Sequence, residues 1–187
     1  MSAESSRTLL GHFLDRVRTS PSRDALRCVQ GEKIISTSWS SWERRSRIWA
    51  SALVALGLEP GDRVAIFVPG RPEWCWFDIA VLMAGGITVP GFRNEPSERC
   101  LDAIRHSGAR IVLVENPASV RGLVGQVDDL SGIEHLIVLE PESLSDGGEL
   151  VRLSDVQGDM PEGLVIGMDA FQDSGETTME RHAGEIN

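Results

Sequence analysis

The stretch from Leu56 to Pro90, LGLEPGDRVAIFVPGRPEWCWFDIAVLMAGGITVP, limits what this chain can fold into more than any other segment. Gly57 can take the left-handed conformation that ends a helix, and Pro60-Gly61-Asp62 supplies a turn directly after it. Val64 to Val68 is a continuous apolar run, as expected of a strand covered on both faces. Pro72 to Met83 reads as a helix that is apolar nearly all round, and such a helix must be buried. Gly85-Gly86 breaks it, and Ile87-Thr88-Val89 follows as a second strand. A strand, a buried helix and another strand make the repeating unit of a parallel sheet.

The flanking sequence extends that pattern. Ser6 to Arg18 is predicted as a helix with Leu9, Leu10, Phe13, Leu14 and Val17 on one face. Ala25 to Val29 and Lys33 to Thr37 read as a hairpin turning at Gln30-Gly31. Ser40 and Glu43 form a capping box opening a helix that carries Trp42, Trp49, Leu53 and Leu56 on one stripe. Pro96 sits in the first turn of a helix running to Ser107, with Gly108 as its stop, and Arg110 to Val114 is a third strand of the series. A weaker helix is expected over Ala118 to Val127 and a further strand over Leu136 to Leu139. The fold class is therefore α/β: a partial doubly wound parallel sheet with helices on both faces.

Charge divides the chain. Residues 1–140 carry 17 acidic and 16 basic side chains, whereas residues 141–187 carry 11 and 2, so most of the net charge of −10 is C-terminal. The same C-terminal segment holds 7 of the 19 glycines. Residues 1–140 are thus expected to form the α/β unit, and residues 141–187 an acidic, loop-dominated tail with a short strand at Leu150 to Leu153 and a turn of helix near Met168. This balance argues against nucleic-acid binding, which needs a basic surface. The polar N-terminus has no leader-like apolar segment, and the Phe77 to Pro90 stretch is too short to cross a bilayer. With Cys28, Cys75 and Cys100 lacking metal-type spacing, a reduced cytoplasmic setting is expected.

A doubly wound sheet prompts a search for phosphate loops, and neither G-x-G-x-x-G nor G-x-x-x-x-G-K-[ST] occurs. Gly85-Gly86 leads into a strand, not a helix, and so reads as structural. His12, His106, His135 and His182 are scattered; His106 falls in a last helical turn, where a cation complements the helix dipole. No G-x-S-x-G elbow is present. Arg71 and Arg93 flank strand ends where ligands bind in such folds, so each could meet an anion, although a solvated surface role is the commoner outcome. Trp42, Trp49, Trp74 and Trp76 are spaced as core or interface residues.

The order of these parts carries a resemblance. The segment from Ser38 to Pro90 resembles the N-terminal region of AMP-forming acyl-CoA synthetases: Trp39 leading a helix, the ALGLEPGDRVAI turn and strand, the PEW helix and the AGGITVP strand. The way SERCLDAIRHSGARIVLVEN follows VPGF is most similar to the long-chain fatty-acid branch, and the match runs from about Leu9 to Glu140. Gly70 stands where the family usually has Asn, and Arg93 replaces a proline common in that branch. The resemblance implies the N-terminal part of the adenylate-forming enzyme fold. It also implies a parent reaction joining a fatty acid, ATP and CoA into acyl-CoA through acyl-AMP.

The ATP loop, the ribose-binding aspartate and the catalytic lysine domain of that family all lie downstream of the matched region. Asp173 to Thr178 superficially resembles the phosphate loop, but it lacks the second glycine and the lysine and carries Glu176; it reads as an acidic loop. No catalytic, cofactor-binding or metal-binding residue is therefore assigned. ATP, Mg and CoA are implied for the full-length family and no cofactor for this chain alone, which is expected to be inactive by itself. The partners implied are the missing C-terminal part or a complementing chain, and a homodimer; nucleic acid and a transmembrane segment are not expected. A split adenylating enzyme and a non-catalytic interaction module stand as alternatives, and the full-length parent could sit peripherally at a membrane.

Overall fold

A computed structural model describes residues 8–91, 96–125, 132–144, 148 and 150–185. Helix α1 (Leu9–Thr19) starts where the Thr8 hydroxyl accepts the Gly11 amide at 3.0 Å, and Arg16 and Arg18 occupy its last turn. Strands β1 (Asp24–Gln30) and β2 (Lys33–Ser38) form the expected hairpin, with Gly31 at φ 61° in the turn and Cys28 opposite Ile35. Helix α2 (Trp39–Ala55) is capped by Ser38 and not by Ser40. The Ser38 hydroxyl accepts the Ser41 amide at 3.2 Å, while Glu43 turns away to pair with Arg47 at 2.6 Å, so the predicted capping box is replaced.

The segment that constrained the fold behaves as its sequence demands. Strand β3 (Arg63–Phe67), helix α3 (Pro72–Met83) and strand β4 (Ile87–Pro90) follow one another, and Phe77, Ala80 and Val81 of α3 are fully buried. Helix α4 (Ser97–Ser107) takes Pro96 as its N-cap and ends on Gly108 at φ 65°, a conformation that glycine adopts without steric cost. Strand β5 (Ile111–Val114), helix α5 (Pro117–Val124) and strand β6 (His135–Val138) complete the predicted series. Asn116 caps α5 by accepting the Ser119 amide at 3.0 Å.

Beyond Pro141 the expectation of a loop-dominated tail is corrected. Strands β7 (Glu142–Leu144) and β8 (Leu150–Arg152) pair antiparallel, helix α6 (Leu153–Gly158) follows, and strand β9 (Val165–Gly167) joins the main sheet beside β6. Helix α7 (Met168–Glu185) then runs across α2. Asp173 to Thr178 lies inside α7, so it is neither a phosphate loop nor an acidic loop. The sequence signals only the turn near Met168, because the inward stripe is Met168, Phe171, Gly175 and Met179, in which a glycine stands where an apolar residue would signal the period. That glycine is required by packing: a Cβ on Gly175 would lie 2.2 Å from the Ile48 carbonyl oxygen of α2.

The five parallel strands lie in the order β4-β3-β5-β6-β9. Successive residues of the central strands feed opposite faces, as strand geometry requires. Ile66, Leu113 and Ile137 join Trp49, Phe77 and Phe171 under α2, α3 and α7. Ala65, Val112 and Leu136 join Ile104, Val120 and Val156 under α4, α5 and α6. Both faces of β5 are fully covered, which is why Ile111 to Val114 reads as an unbroken apolar run.

Candidate functional site

Counted among the parallel strands alone, the sheet order is 2-1-3-4-5. The chain leaves β3 to one side through α3 and later crosses to the other side through α4, so the direction of winding reverses between β3 and β5. Ligands in open α/β sheets bind in the crevice at such a reversal, beyond the carboxyl ends of the strands. Here that crevice is a cavity of about 430 Å³ between Pro69 to Glu73, Glu115, Trp76 and the hairpin residues Cys28, Ile35 and Thr37.

Its chemistry centres on Arg71, placed just before α3. The guanidinium donates from Nε to Glu73 at 2.9 Å and from Nη1 to Glu140 at 2.6 Å, and it lies 3.8 Å from Glu115. Partial burial works against its charge, but the hydrogen bonds it donates to Glu73 and Glu140 outweigh that cost and hold its pKa above the ordinary arginine value. Glu115 follows β5 directly and Glu140 lies just past β6, so parallel pairing aligns both strand ends on this one cation. Three carboxylates against one guanidinium leave the crevice net negative. Arg71 is neutralised by carboxylates of its own chain, an internal role in place of the solvated surface role read as commoner for it; Arg93 lies outside the described residues.

The sequence reading found Arg71 and missed Glu73, Glu115 and Glu140. The signal available was that charged residues fall just past the ends of β5 and β6 and in the first turn of α3, in the region where that fold class binds ligands. A second ion-pair group, Asp62, Arg110 and Glu134, ties the opposite strand ends, with Arg110 2.9 Å from Asp62 and 2.5 Å from Glu134. It lies at the amino edge of the sheet, away from the crevice.

The other candidates resolve into structure. Trp49 and Trp76 are 1% and 8% exposed in the core, whereas Trp42 and Trp74 pack half-buried against it. The indole N–H groups of Trp42, Trp49 and Trp76 are buried and have no hydrogen-bond acceptor among the described residues. Cys100 is buried, and burial together with the Asp78 charge raises the Cys75 thiol pKa, so that thiol is poorly suited to nucleophilic work. His106 occupies the last turn of α4 as expected. Among the described residues no group of three or more His, Cys, Asp or Glu side chains is arranged to hold a metal ion. No described helix is long and apolar enough to cross a membrane.

The phosphates of ATP do not fit the residues lining this crevice. The crevice offers carboxylates where phosphates would need cations, and the loop-like motif at 173–178 spends its backbone amides inside a helix. Gly70 lines this crevice, and a Cβ built there would meet nothing within 4 Å, so packing does not require glycine at this position.

The architecture is that of the adenylate-forming ligases. Coronafacic acid ligase from Pectobacterium brasiliense superposes with a TM-score of 0.69 at 13% identity, over 88% of this chain and 29% of that one. Residues 13–174 match the model of the AMP-binding enzyme family, and the chain belongs to that family. Among curated relatives it is 30% identical over 121 residues to the long-chain-fatty-acid–CoA ligase FadD15 of Mycobacterium tuberculosis, covering 60% of this chain and 20% of that protein. It is 36% identical over 107 residues to the nonribosomal peptide synthetase NPS2 of Ceriporiopsis subvermispora, covering 57% of this chain and 4% of that protein. The chain thus spans a fifth or less of the length of these relatives.

Proposed function

We propose that this chain is the N-terminal scaffold of an acyl-adenylating acid–thiol ligase of the long-chain fatty-acid branch, inactive by itself. In this reading, ATP, magnesium and CoA are held by further polypeptide that carries the phosphate loop and the lysine domain. The observation that carries the reading is the family match across residues 13–174 in a chain whose switch-point crevice is lined by an arginine–carboxylate cluster and not by phosphate ligands. Residues 1–140 supply the wound sheet, and the acidic remainder closes it. A cytoplasmic location fits the three cysteines, Cys28, Cys75 and Cys100, none of which is in a disulfide among the described residues.

The test is ATP–pyrophosphate exchange, measured with the chain alone and with the chain mixed with a polypeptide bearing the phosphate loop and lysine domain of a related ligase. Palmitate, octanoate and a set of amino acids serve as acid substrates. No exchange by the chain alone, and palmitate-dependent exchange in the mixture, support the proposal. Exchange by the chain alone would refute the scaffold role. Exchange driven by amino acids and not by palmitate would move the chain to the peptide-synthetase side of the family, the side to which NPS2 belongs.

A further inference from the structure

We propose that the free edge of β2 is a docking site for an acidic peptide in extended conformation. Strands β1 and β2 form a two-stranded sheet of their own, so among the described residues β2 is paired along one edge only. Along the other edge runs a second cavity of about 520 Å³, walled by α2 and α7. Ile35, Ser36 and Thr37 all line it. Successive side chains of a strand point to opposite faces, so three consecutive residues meet one cavity only along the strand's edge. An open edge of unpaired N–H and C=O groups is a template for an added strand.

Charge specifies what that strand carries. Arg44 and Arg45 of α2 line the cavity, both exposed, and among the described residues neither has a carboxylate within ion-pair distance. Their neighbour Arg47 is neutralised by Glu43. The Arg45 guanidinium lies 4.4 Å from the centroid of the Trp76 ring, a stacking that fixes its plane while leaving its N–H edges free to donate in pairs to a carboxylate. Ile35, Ile48 and Trp76 give the cavity an apolar wall. The one opposing charge is Glu176 of α7, which accepts a hydrogen bond from Gln172 at 3.3 Å. Two cations, one anion, an apolar wall and an open strand edge match a segment that alternates acidic and apolar residues. This inference does not rest on the ligase reading and stands or falls separately from it.

The experiment is fluorescence anisotropy with the intact chain and a labelled five-residue peptide of alternating glutamate and valine. Binding is expected, weakening with added salt and falling about tenfold or more in the Arg44→Ala, Arg45→Ala double variant. Glu176→Gln is expected to tighten it. The same peptide N-methylated at alternate amides should lose binding, an arm that leaves the protein unaltered and so survives a variant that fails to fold. Equal binding of the lysine–valine counterpart, undiminished binding of the N-methylated peptide, or full competition by glutarate at peptide concentrations would each overturn the proposal. So would self-association of the chain through this edge that is indifferent to both arginines.

Discussion

Arg71 holds three chain segments together at the carboxyl edge of the sheet, because Glu73, Glu115 and Glu140 come from α3, the end of β5 and the end of β6. Removing the cation leaves three half-buried carboxylates facing one another. Arg71→Ala is therefore expected to cost about 1–2 kcal/mol in urea denaturation at pH 7, less than a fully buried pair because solvent screens the cluster. Adding Glu115→Gln should restore part of that loss. The amino-edge cluster gives a pH signature. Arg110 holds the Glu134 carboxyl below the usual range through its hydrogen bond, so their attraction is present above the ordinary carboxylate pKa and is lost as pH falls through the lower folded value. The destabilisation caused by Arg110→Ala should thus be measurable at pH 7 and close as the pH drops below about 4. Neither cluster was legible in the sequence. Apart from the near neighbours Arg71 and Glu73, their members are tens of residues apart, and only the parallel alignment of strand ends brings them together.

Helices were legible in proportion to how their burial is achieved. The α3 boundaries, Pro72 to Met83, coincide with the prediction because a helix apolar on all sides leaves no other place for those side chains. Of helix α7 only a turn near Met168 was legible, because close backbone approach, not apolar bulk, buries its centre. The two accounts give opposite signs for one substitution. On helix propensity alone, Gly175→Ala would stabilise by about 1 kcal/mol. A methyl group 2.2 Å from a backbone oxygen must instead push α7 off α2, and overpacking of this kind costs roughly 1–3 kcal/mol. The urea midpoint of Gly175→Ala should fall, and a rise would mean that the crossing is looser than described.

For the whole molecule, the acidic C-terminal segment is part of the fold. Strand β9 covers the side of β6 that β5 leaves open, and Phe171 reaches the core that holds Trp49 and Phe77. A chain ending before Val165 should therefore bind the dye ANS and lose its cooperative urea transition while keeping helical circular dichroism. The sheet's existence and parallel sense followed from spacing and apolar runs. The last strand did not, because Val165-Ile166-Gly167 is too short to stand out from turn-rich surroundings.

The crossing of α7 over α2 also sets a schedule. The two helices are separated by roughly a hundred residues of chain and yet close the same core, so the contact is of high sequence separation and forms late. During synthesis, the core holding Trp49 and Phe77 lacks its last aromatic partner until Phe171 has left the ribosome. Apolar surface exposed in this way during synthesis is the kind that chaperones recognise, and the arrival of α7 covers it.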